Sequence, residues 1–241
     1  MKKLLPLFFS LACISQNSLA ANDISTLILL NQNEFRILSE DMGSALSYKP
    51  VTPAEPLGVT GIDLGLVVTS TDVKRSAQSW SKATNNGEPI NTLYIPKLHI
   101  SKGLPFNLDI GAFYSSIPST NIKLYGAELR YAILEGGISM PAVAIRGSYT
   151  KLDGVSQLAF NTRGLDVSIS KGFALFTPYA GVGRVYVNST PDASTLLSAE
   201  KFNQSKVFAG INMNFGLTNF ALEADKTGEA KSYSAKLGFR F

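Results

Sequence analysis

The last eleven residues, Lys231 to Phe241, constrain the fold more than any other stretch of the chain. They read KSYSAKLGFRF, and every second position from Tyr233 to the terminal Phe241 is apolar or aromatic. The positions between hold basic residues, serine and glycine. Because successive side chains of a β-strand point to opposite faces, this segment predicts a strand with one apolar and one polar face. The large side chains of the apolar face are Tyr233, Leu237, Phe239 and Phe241.

The first 20 residues have the composition of an export signal. Two lysines precede an apolar run over residues 4–14, and residues 18–20 (SLA) form a small-x-small cleavage site. Because the apolar run is too short to span a bilayer, we expect residues 1–20 to be a signal peptide that is cleaved after Ala20. The stretch that ends at Cys13 (LAC) loosely resembles a lipoprotein box, so lipidation stays open as an alternative.

The cysteine count and the net charge exclude some classes of function. Cleavage would remove Cys13, the only cysteine, so no disulfide and no thiolate chemistry is predicted. It would also remove two lysines from a formal net charge of +4, and we predict no nucleic-acid partner. No later apolar run approaches the length of a membrane-spanning helix, which is about 18 residues. The chain is therefore either periplasmic or crosses the outer membrane as strands, and the closing strand favours the second.

Residues 21–56 follow the helical period and not the strand period. Their apolar residues recur at spacings of three, four and seven, and prolines at 50, 53 and 56 then end any helix. The helix is either continuous or broken around residues 31–33. Two interpretations stay open: an amphipathic helix that packs on a neighbouring surface, or a plug at the periplasmic mouth of a barrel. The residues expected to form the plug are Phe35, Leu38 and Met42.

From residue 57 to residue 241 the apolar residues recur with a period of two. Ten such segments of about ten residues each suit an antiparallel up-and-down transmembrane β-barrel, because single-chain bacterial barrels have even strand numbers. We therefore predict an all-β membrane fold of about ten strands behind an amphipathic helix, with counts from eight to twelve left open. The predicted strands are 58–71, 91–102, 106–116, 122–133, 138–150, 157–170, 174–188, 204–215, 219–226 and 231–241.

The connections between the predicted strands fall into two groups. Short turns follow strands two, four, six and eight, whereas long polar stretches at 72–89 and 189–203 follow strands one and seven. Outer-membrane barrels place short turns in the periplasm and long loops outside the cell. With a periplasmic N-terminus, both long stretches are expected outside. Because lipid satisfies no backbone hydrogen bonds, the first and last strands are expected to pair and close the sheet.

By strand parity, the inward face of the barrel carries charges of both signs. Six acidic and seven basic side chains share it with one histidine, which predicts a nearly neutral lumen filled by salt bridges. A ring of one sign would have indicated ion selectivity, and this set does not form one. The predicted lumen network is Asp63, Lys97, His99, Asp109, Glu128, Arg130, Arg146, Asp166, Arg184, Lys206, Glu223, Asp225, Lys236 and Arg240.

The single histidine, His99, stands two positions before Ser101. This pair resembles the His-x-Ser pair of outer-membrane phospholipases and lipid A deacylases, in which the pair faces lipid near the outer leaflet. Here Leu98 and Ile100 take the lipid face, and the pair lies beside a predicted periplasmic turn. We therefore predict no enzyme and no catalytic residues. No Cys or His cluster suits a metal and no phosphate-binding loop suits a cofactor, so neither is expected.

Four stretches carry a resemblance to known families. The closing strand resembles that of Gram-negative outer-membrane β-barrels, which end on an aromatic residue with apolar residues at alternate positions before it. This resemblance implies an outer-membrane location, contact with outer-membrane lipid, and recognition of the closing strand by the barrel-assembly machinery. Residues 45–50 (ALSYKP), 53–58 (PAEPLG) and 178–183 (PYAGVG) are similar to an uncharacterised family of proteobacterial outer-membrane barrels with no agreed activity. The helix before the barrel is also similar in layout to the fatty-acid transporters of the outer membrane.

Two hypotheses about function follow. The first is an outer-membrane barrel that binds or passes a small apolar solute, with the N-terminal helix as its periplasmic plug. The alternative is a structural or surface-interaction barrel that displays residues 72–89 and 189–203 to partners. An apolar molecule that co-purifies in stoichiometric amount would support the first hypothesis. A surface contact that is lost on loop deletion would support the alternative.

Overall fold

The computed structural model describes residues 24–84, 89–117 and 122–241. The predicted signal peptide and its cleavage site lie outside these residues. Two α-helices and ten strands are found in the described part of the chain. No helix in these ranges is long and apolar enough to cross a membrane. The helices are α1 (Gln32–Leu46) and α2 (Ala77–Ala83), and the strands are β1 (Ile62–Asp72), β2 (Thr92–Leu104), β3 (Leu108–Ser116), β4 (Lys123–Glu135), β5 (Ala142–Asp153), β6 (Leu158–Ser170), β7 (Phe176–Pro191), β8 (Glu200–Phe215), β9 (Thr218–Thr227) and β10 (Ala230–Arg240).

The ten described strands form one closed antiparallel barrel. Each strand pairs with its neighbours in the chain, and β1 completes the ring by pairing with β10. In that seam Leu64 lies opposite Phe239, and Leu66 lies opposite Leu237. Closure gives each described strand two partners, so none of them keeps a free edge for pairing with another chain. The predicted all-β barrel of about ten strands is confirmed.

The barrel has two different ends, which we name by their connections. The loop end carries the longest connection, 73–91, which contains α2 and follows β1. It also carries the connection 192–199 between β7 and β8. The turn end carries the C-terminal Phe241 and four connections, 105–107, 136–141, 171–175 and 216–217.

The second long polar stretch of the sequence is mostly strand. β7 continues to Pro191 and β8 begins at Glu200, so the predicted loop 189–203 is wrong and the connection is only 192–199. The polar side chains here contact α1: Arg36 of the helix forms an ion pair with Glu200 at 2.8 Å. Polar residues at the end of a strand therefore mark contact with the helix, a pattern that sequence periodicity does not separate from a loop.

The exterior of the barrel is apolar along its middle. On β10, Tyr233 and Leu237 are exposed, whereas Ser234 and Lys236 between them are buried inside. This alternation suits a barrel that sits in lipid, because the hydrocarbon then contacts the outward apolar side chains. The outward apolar residues include Leu64, Leu66, Val68, Leu98, Ile100, Ile110, Leu129, Ile133, Leu165, Val167, Val182, Val207, Leu222, Leu237 and Phe239.

The predicted assembly signal lies on this outward face. Tyr233, Leu237 and Phe239 are 62%, 52% and 57% exposed, and the terminal Phe241 is 61% exposed at the turn end. Their side chains are therefore available to a partner that reads the closing strand. Recognition by the barrel-assembly machinery stays a prediction.

α1 begins at a capping box. The Asn31 side chain accepts a hydrogen bond from the Glu34 backbone N–H, and the Glu34 side chain accepts one from the Asn31 backbone N–H. A short 3₁₀ turn, Leu27–Leu29, precedes this cap. The helical pattern is therefore broken around residues 31–33, which is one of the two options that the sequence leaves open.

α1 and the chain that follows it pass through the lumen. The helix packs against β1, β7, β8, β9 and β10, and its side chains Phe35, Leu38 and Met42 are at most 1% exposed. Residues 47–57 then continue without helix or strand toward the start of β1. Eleven extended residues span up to about 36 Å, which is enough to cross the rest of the barrel.

The N-terminal segment, defined as residues 24–57, enters the barrel from the loop end. Its start is held beside α2, where the Ser25 backbone N–H donates to the Ala83 carbonyl at 3.2 Å. Its last residue, Leu57, donates its backbone N–H to Asp109 at 3.1 Å. α1 therefore lies in the half near the long connections, so a plug at the periplasmic mouth and long connections outside the cell cannot both hold. An apolar stripe shows which side of a helix is buried, but not from which end the helix enters.

Candidate functional site

The half of the lumen near the loop end is a hydrophobic core. α1 lies close to the wall at Gly43, where an added Cβ atom would lie 2.6 Å from a methyl carbon of Val187. No larger side chain fits there unless the wall moves, so the helix is closely seated. The core cluster joins Phe35, Leu38 and Met42 of α1 and Trp80 of α2 to the inward wall residues Ile95, Phe113, Leu124, Phe160, Val185 and Val187.

This core reverses the predicted parity of β7. Sequence parity predicts that Arg184 faces inward and that Val185 and Val187 face lipid. Instead both valines are buried against α1, while Arg184 is exposed and donates to Asn203 at 3.0 Å. Both faces of β7 carry apolar residues, and the position of α1 decides which set is buried. Arg184 is therefore not part of the lumen network.

Beyond the helix, polar side chains of the wall hold the extended part of the segment. Tyr48 Oη lies 2.7 Å from His99 Nε2, and the Tyr48 carbonyl accepts a hydrogen bond from Lys206 Nζ at 2.8 Å. Lys49 Nζ lies 2.6 Å from Asp225 Oδ1, and both side chains are at most 1% exposed. Hydrogen bonds that involve a charged group are stronger than neutral ones, especially away from water.

Further contacts hold the segment toward the turn end. The Val51 backbone N–H donates to Glu223 Oε2 at 3.0 Å, and Arg130 donates to the Pro53 carbonyl. Because this part of the segment pairs with no strand, its buried backbone groups need side-chain partners. Wall side chains supply these partners at successive positions down the lumen.

The inward side chains of the wall also pair with one another. Lys236 Nζ lies 2.6 Å from Asp63, which is one ion pair near the β1–β10 seam. Arg146 lies between two carboxylates, 3.0 Å from Glu128 and 3.7 Å from Asp166. Charges of opposite sign are therefore neighbours in the charged half of the lumen.

The predicted lumen residues, apart from Arg184, lie on the inward face. Arg240 borders the lumen at the turn end and pairs with Asp63 at 3.0 Å. Sequence parity missed Tyr48 and Lys49, because they belong to the N-terminal segment and not to a strand; the sequence signal was a lysine directly before the prolines. The buried members of the network are Asp63, Lys97, His99, Asp109, Glu128, Arg130, Arg146, Asp166, Lys206, Glu223, Asp225 and Lys236.

His99 and Ser101 lie inside the barrel and not on its lipid face, with exposed fractions of 3% and 5%. Neighbouring Lys97 places its Nζ 4.9 Å from the centre of the Phe113 ring, with no hydrogen-bond partner among the described residues. An external substrate reaches none of these groups. Within the described ranges, no group of three or more His, Cys, Asp or Glu side chains is placed to hold a metal ion.

At the loop end, the connection that contains α2 clasps α1. Arg75 lies 3.1 Å from Asp41, Ser76 Oγ donates to Asp41 at 2.6 Å, and Lys82 pairs with Glu34. The hydrogen bond from Lys82 lowers the pKa of Glu34 below its usual 4.5. Burial raises the pKa of Asp41 above its usual 3.8, although the contacts with Ser76 and Arg75 act in the opposite direction. We call this group of contacts the clasp.

A cavity of about 290 Å³ opens at the turn end. It is lined by residues of the connection 136–141, by wall residues that follow or adjoin it, and by one residue of the N-terminal segment: Gly136, Gly137, Ile138, Met140, Ala142, Ser170, Gly172 and Glu55. These residues place the cavity at the mouth of the barrel and not along its axis. It therefore does not connect the two ends.

Comparison with known proteins gives a fold likeness and no family. No protein-family model matches the chain. No curated protein matches it either. Among solved structures, the translocator domain of the autotransporter NalP from Neisseria meningitidis is 10% identical, with 87% of this chain and 94% of that chain covered and a TM-score of 0.41.

Two further solved structures are similar at about the same level. The N-terminal β-barrel domain of Pseudomonas aeruginosa OprF is 16% identical, covers 74% of this chain and 99% of its own, and has a TM-score of 0.36. Neisserial surface protein A is 9% identical, with coverages of 75% and 94% and a TM-score of 0.31. At these levels of similarity the comparisons carry no argument about function.

Proposed function

We propose that this protein is a non-conducting outer-membrane β-barrel that presents its loop end to partners at the cell surface. The apolar exterior and the expected export signal support the membrane location. The filled lumen supports the absence of conduction. The folded structure at the loop end supports a role in contacts.

The observation that carries this proposal is the filling of the lumen by the chain itself. Phe35 and Leu38 in the loop half, and Val51 and Ala54 toward the turn end, are all 0% exposed. Residues 41–54 of the segment are all buried, so solvent does not reach this stretch. A solute could pass only if residues 24–57 moved.

Displacing the segment is energetically unfavourable. Without Lys49, Asp225 would lose its nearest cation, and without the Val51 backbone, Glu223 would lose a donor. Breaking one buried ion pair costs about 3–5 kcal/mol, and this segment makes several buried polar contacts. The predicted passage of a small apolar solute past a movable plug is therefore less well supported than the surface role.

The contact surface is the cap, which we define as residues 24–31, α2 and the connection 192–199. Gln32 at the start of α1 donates to the Ser198 carbonyl at 3.2 Å, so α1 ties the connection into the cap. Ile28 and Leu29 are each 61% exposed, and Leu196 is fully exposed. Ile28 and Leu29 are adjacent in the chain, and adjoining exposed apolar side chains are typical of contact sites. The proposal includes no enzymatic activity, because the His99–Ser101 pair is enclosed.

The first test is single-channel conductance of the refolded protein in a planar bilayer. Ser39 Oγ on α1 and Ser189 Oγ on β7 lie 2.8 Å apart, so the double variant Ser39→Cys/Ser189→Cys can fix the helix to the wall. We expect no conductance steps from the wild type, the reduced variant or the oxidised variant. Steps that are present in the reduced form and stop on oxidation would show that α1 is a gate.

The second test is the orientation of the two ends in intact cells. Leu196 at the loop end and Ile138 at the turn end are both fully exposed, so they form a matched pair. We expect a membrane-impermeant maleimide to label Leu196→Cys and not Ile138→Cys. The reverse result would place the cap in the periplasm and would contradict the surface role.

A further inference from the structure

The outward side chains of β5 to β8 change from apolar to basic toward the loop end. Near the middle of the barrel, Val167, Val182 and Val207 lie side by side in one row across β6, β7 and β8, which we call the apolar level. One step toward the loop end, Arg184 lies between Leu165 and Ser205. The first cation therefore appears directly above the hydrocarbon level.

Two more steps complete the change. At the next level, Arg163 lies directly between Tyr149 and Tyr186. At the level after that, Lys151 on β5 and Lys201 on β8 lie in one row, separated by two asparagines. Four cations on four adjacent strands thus face outward; we call Lys151, Arg163, Arg184 and Lys201 the basic patch.

The basic patch lacks acidic partners. Its four side chains are exposed, and none forms an ion pair with any described residue; the amide of Asn203 is the partner of Arg184. An outward carboxylate, Asp153, stands two positions after Lys151 on β5 and opposite Lys123 on β4, and it forms no ion pair with Lys151.

Some other cations of the loop end have carboxylate partners, whereas Lys123 and Lys231 form no ion pair with a described residue. Lys226 pairs with Glu229 at 3.5 Å, and Lys82 pairs with Glu34. No two cations of the basic patch lie directly opposite each other in the strand register, so they repel one another less than a directly opposed pair would. Four exposed cations without an ion-pair partner nevertheless make this surface positively charged, and such a surface attracts an anion from outside the chain.

The dimensions of the patch and the residues around it indicate which kind of anion fits it. Adjacent strands lie about 4.8 Å apart, so the patch is about 14 Å wide, and its three levels rise by about 13 Å. Arginine binds phosphate through two parallel hydrogen bonds, and tyrosine favours the boundary between hydrocarbon and water. Below the patch is an apolar wall, so the ligand is an amphiphile and not a free ion.

We propose that the basic patch binds the phosphorylated headgroup of a membrane glycolipid whose acyl chains lie over Val167, Val182 and Val207. The asparagine side chains between Lys151 and Lys201 offer amide groups to the sugar hydroxyls. This inference rests on the proposed function in one respect: the barrel spans the outer membrane with its loop end outward.

The test titrates the full-length refolded protein, in uncharged detergent micelles, with bis-phosphorylated lipid A. The variant Lys151→Gln/Arg163→Gln/Lys201→Gln removes three cations of the patch. We expect one lipid to bind per barrel and the affinity of the variant to fall roughly 100-fold, because each basic residue beside an anionic headgroup contributes about a factor of five.

The control is Lys123→Gln/Lys226→Gln/Lys231→Gln, which removes the same charge from exposed outward positions at the loop end. We expect it to bind within about threefold of the wild type, and circular dichroism checks that both variants are folded. Equal binding by the patch variant would overturn the proposal, as would equal binding of dephosphorylated lipid A. Saturation by inorganic phosphate without any gain from the lipid would assign the patch to free phosphate instead.

These outcomes are separate from those of the proposed function. Surface labelling of Leu196→Cys together with equal lipid binding by the patch variant would reject the glycolipid site alone. Labelling of Ile138→Cys instead would reject the orientation on which both proposals depend.

Discussion

Single buried charges determine how firmly the N-terminal segment is held in the lumen. Lys49 is the cation of the segment that pairs with Asp225, and Thr227 Oγ1 donates to the same carboxylate at 3.0 Å. The neighbouring lysine on β9, Lys226, faces outward and pairs with Glu229 in an exposed position. The two lysines therefore allow the same substitution to be compared inside and outside one barrel.

We predict that Lys49→Met lowers the free energy of unfolding by about 3 kcal/mol, because Asp225 stays buried without its cation. Lys226→Met should change it by less than about 1 kcal/mol, because exposed ion pairs contribute little. Urea unfolding of the protein in lipid vesicles measures both values. Equal losses of unfolding free energy in the two variants would show that the buried Lys49 pair stabilises the protein no more than the exposed Lys226 pair.

Gly43 tests how closely α1 is seated. A Cβ atom there would lie 2.6 Å from Val187 and 2.7 Å from Gln204, whereas Gly147 on the outward face of β5 has nothing within 4 Å. We predict that Gly43→Leu destabilises the protein by about 2–3 kcal/mol through overpacking. Gly147→Leu is the matched control, and thermal unfolding compares the two. A stable Gly43→Leu variant would mean that the helix can shift in the lumen.

At the scale of elements, the strands were easier to predict than the packing inside them. β10 alternates cleanly, with Tyr233 and Leu237 outward and Lys236 inward, so parity alone orients it. β7 does not, because apolar residues stand on both of its faces. Its orientation depends on α1, a contact between segments more than 100 positions apart that no local pattern contains.

The sequence also contains a pattern that indicates the position of α1, although it is less clear than the strand period. The inward positions nearest the loop end are apolar on several strands, as at Ile95, Leu124 and Phe160, whereas those in the other half are charged. When a lumen is apolar at one end and charged at the other, an apolar helix packs favourably only at the apolar end. Predicting the position of α1 in this way requires the inward residues of several strands to be assigned correctly at once. Small errors in the strand bounds therefore obscure the pattern.

The clasp between α1 and α2 should respond to acid in two opposite ways. The pKa of Glu34 is lowered, so its contribution to stability is present above pH 4.5 and is lost as the pH falls through the folded-state pKa. The pKa of Asp41 is raised from 3.8 by burial, so its contribution is greatest at low pH and is lost as the pH rises through the folded-state pKa.

Two variants separate these contributions. Relative to the wild type, we predict that Glu34→Gln gains stability on acidification from pH 7 to pH 3, whereas Asp41→Asn loses stability. Trp80, the single tryptophan, is buried in α2 and reports opening of the clasp by a red shift of its fluorescence. Changes of the same sign in the two variants would contradict the assignment.

At the scale of the whole molecule, the chain crosses the membrane level before its first strand begins. The closing strand and the period of two were enough to predict a closed barrel of about ten strands. They did not reveal that residues 24–57 cross the lumen, because a segment without strand pairing has no periodic signature. The two ends of the described chain consequently lie at opposite ends of the barrel, with Ile24 near α2 and Phe241 at the turn end.

This topology predicts which terminus can be reached from outside the cell. A peptide tag inserted directly before Ile24 should be accessible to antibody on intact cells, whereas a tag placed after Phe241 should become accessible only when the outer membrane is permeabilised. Internal tagging at the connection 192–199 serves as the positive control. A tag before Ile24 that stays hidden while this control is stained would mean that the segment enters from the turn end.

The threaded segment also sets an order of events during biogenesis. Residues 24–57 are synthesised before any strand, yet they become enclosed only when the last strand, β10, pairs with β1. A completed ring has no side opening, so after closure the segment can enter or leave only along the barrel axis. Withdrawal along the axis has to break the buried contacts of Lys49 and Val51 with the wall. The retention of the segment is then governed by how slowly these contacts break together and not by the seam alone.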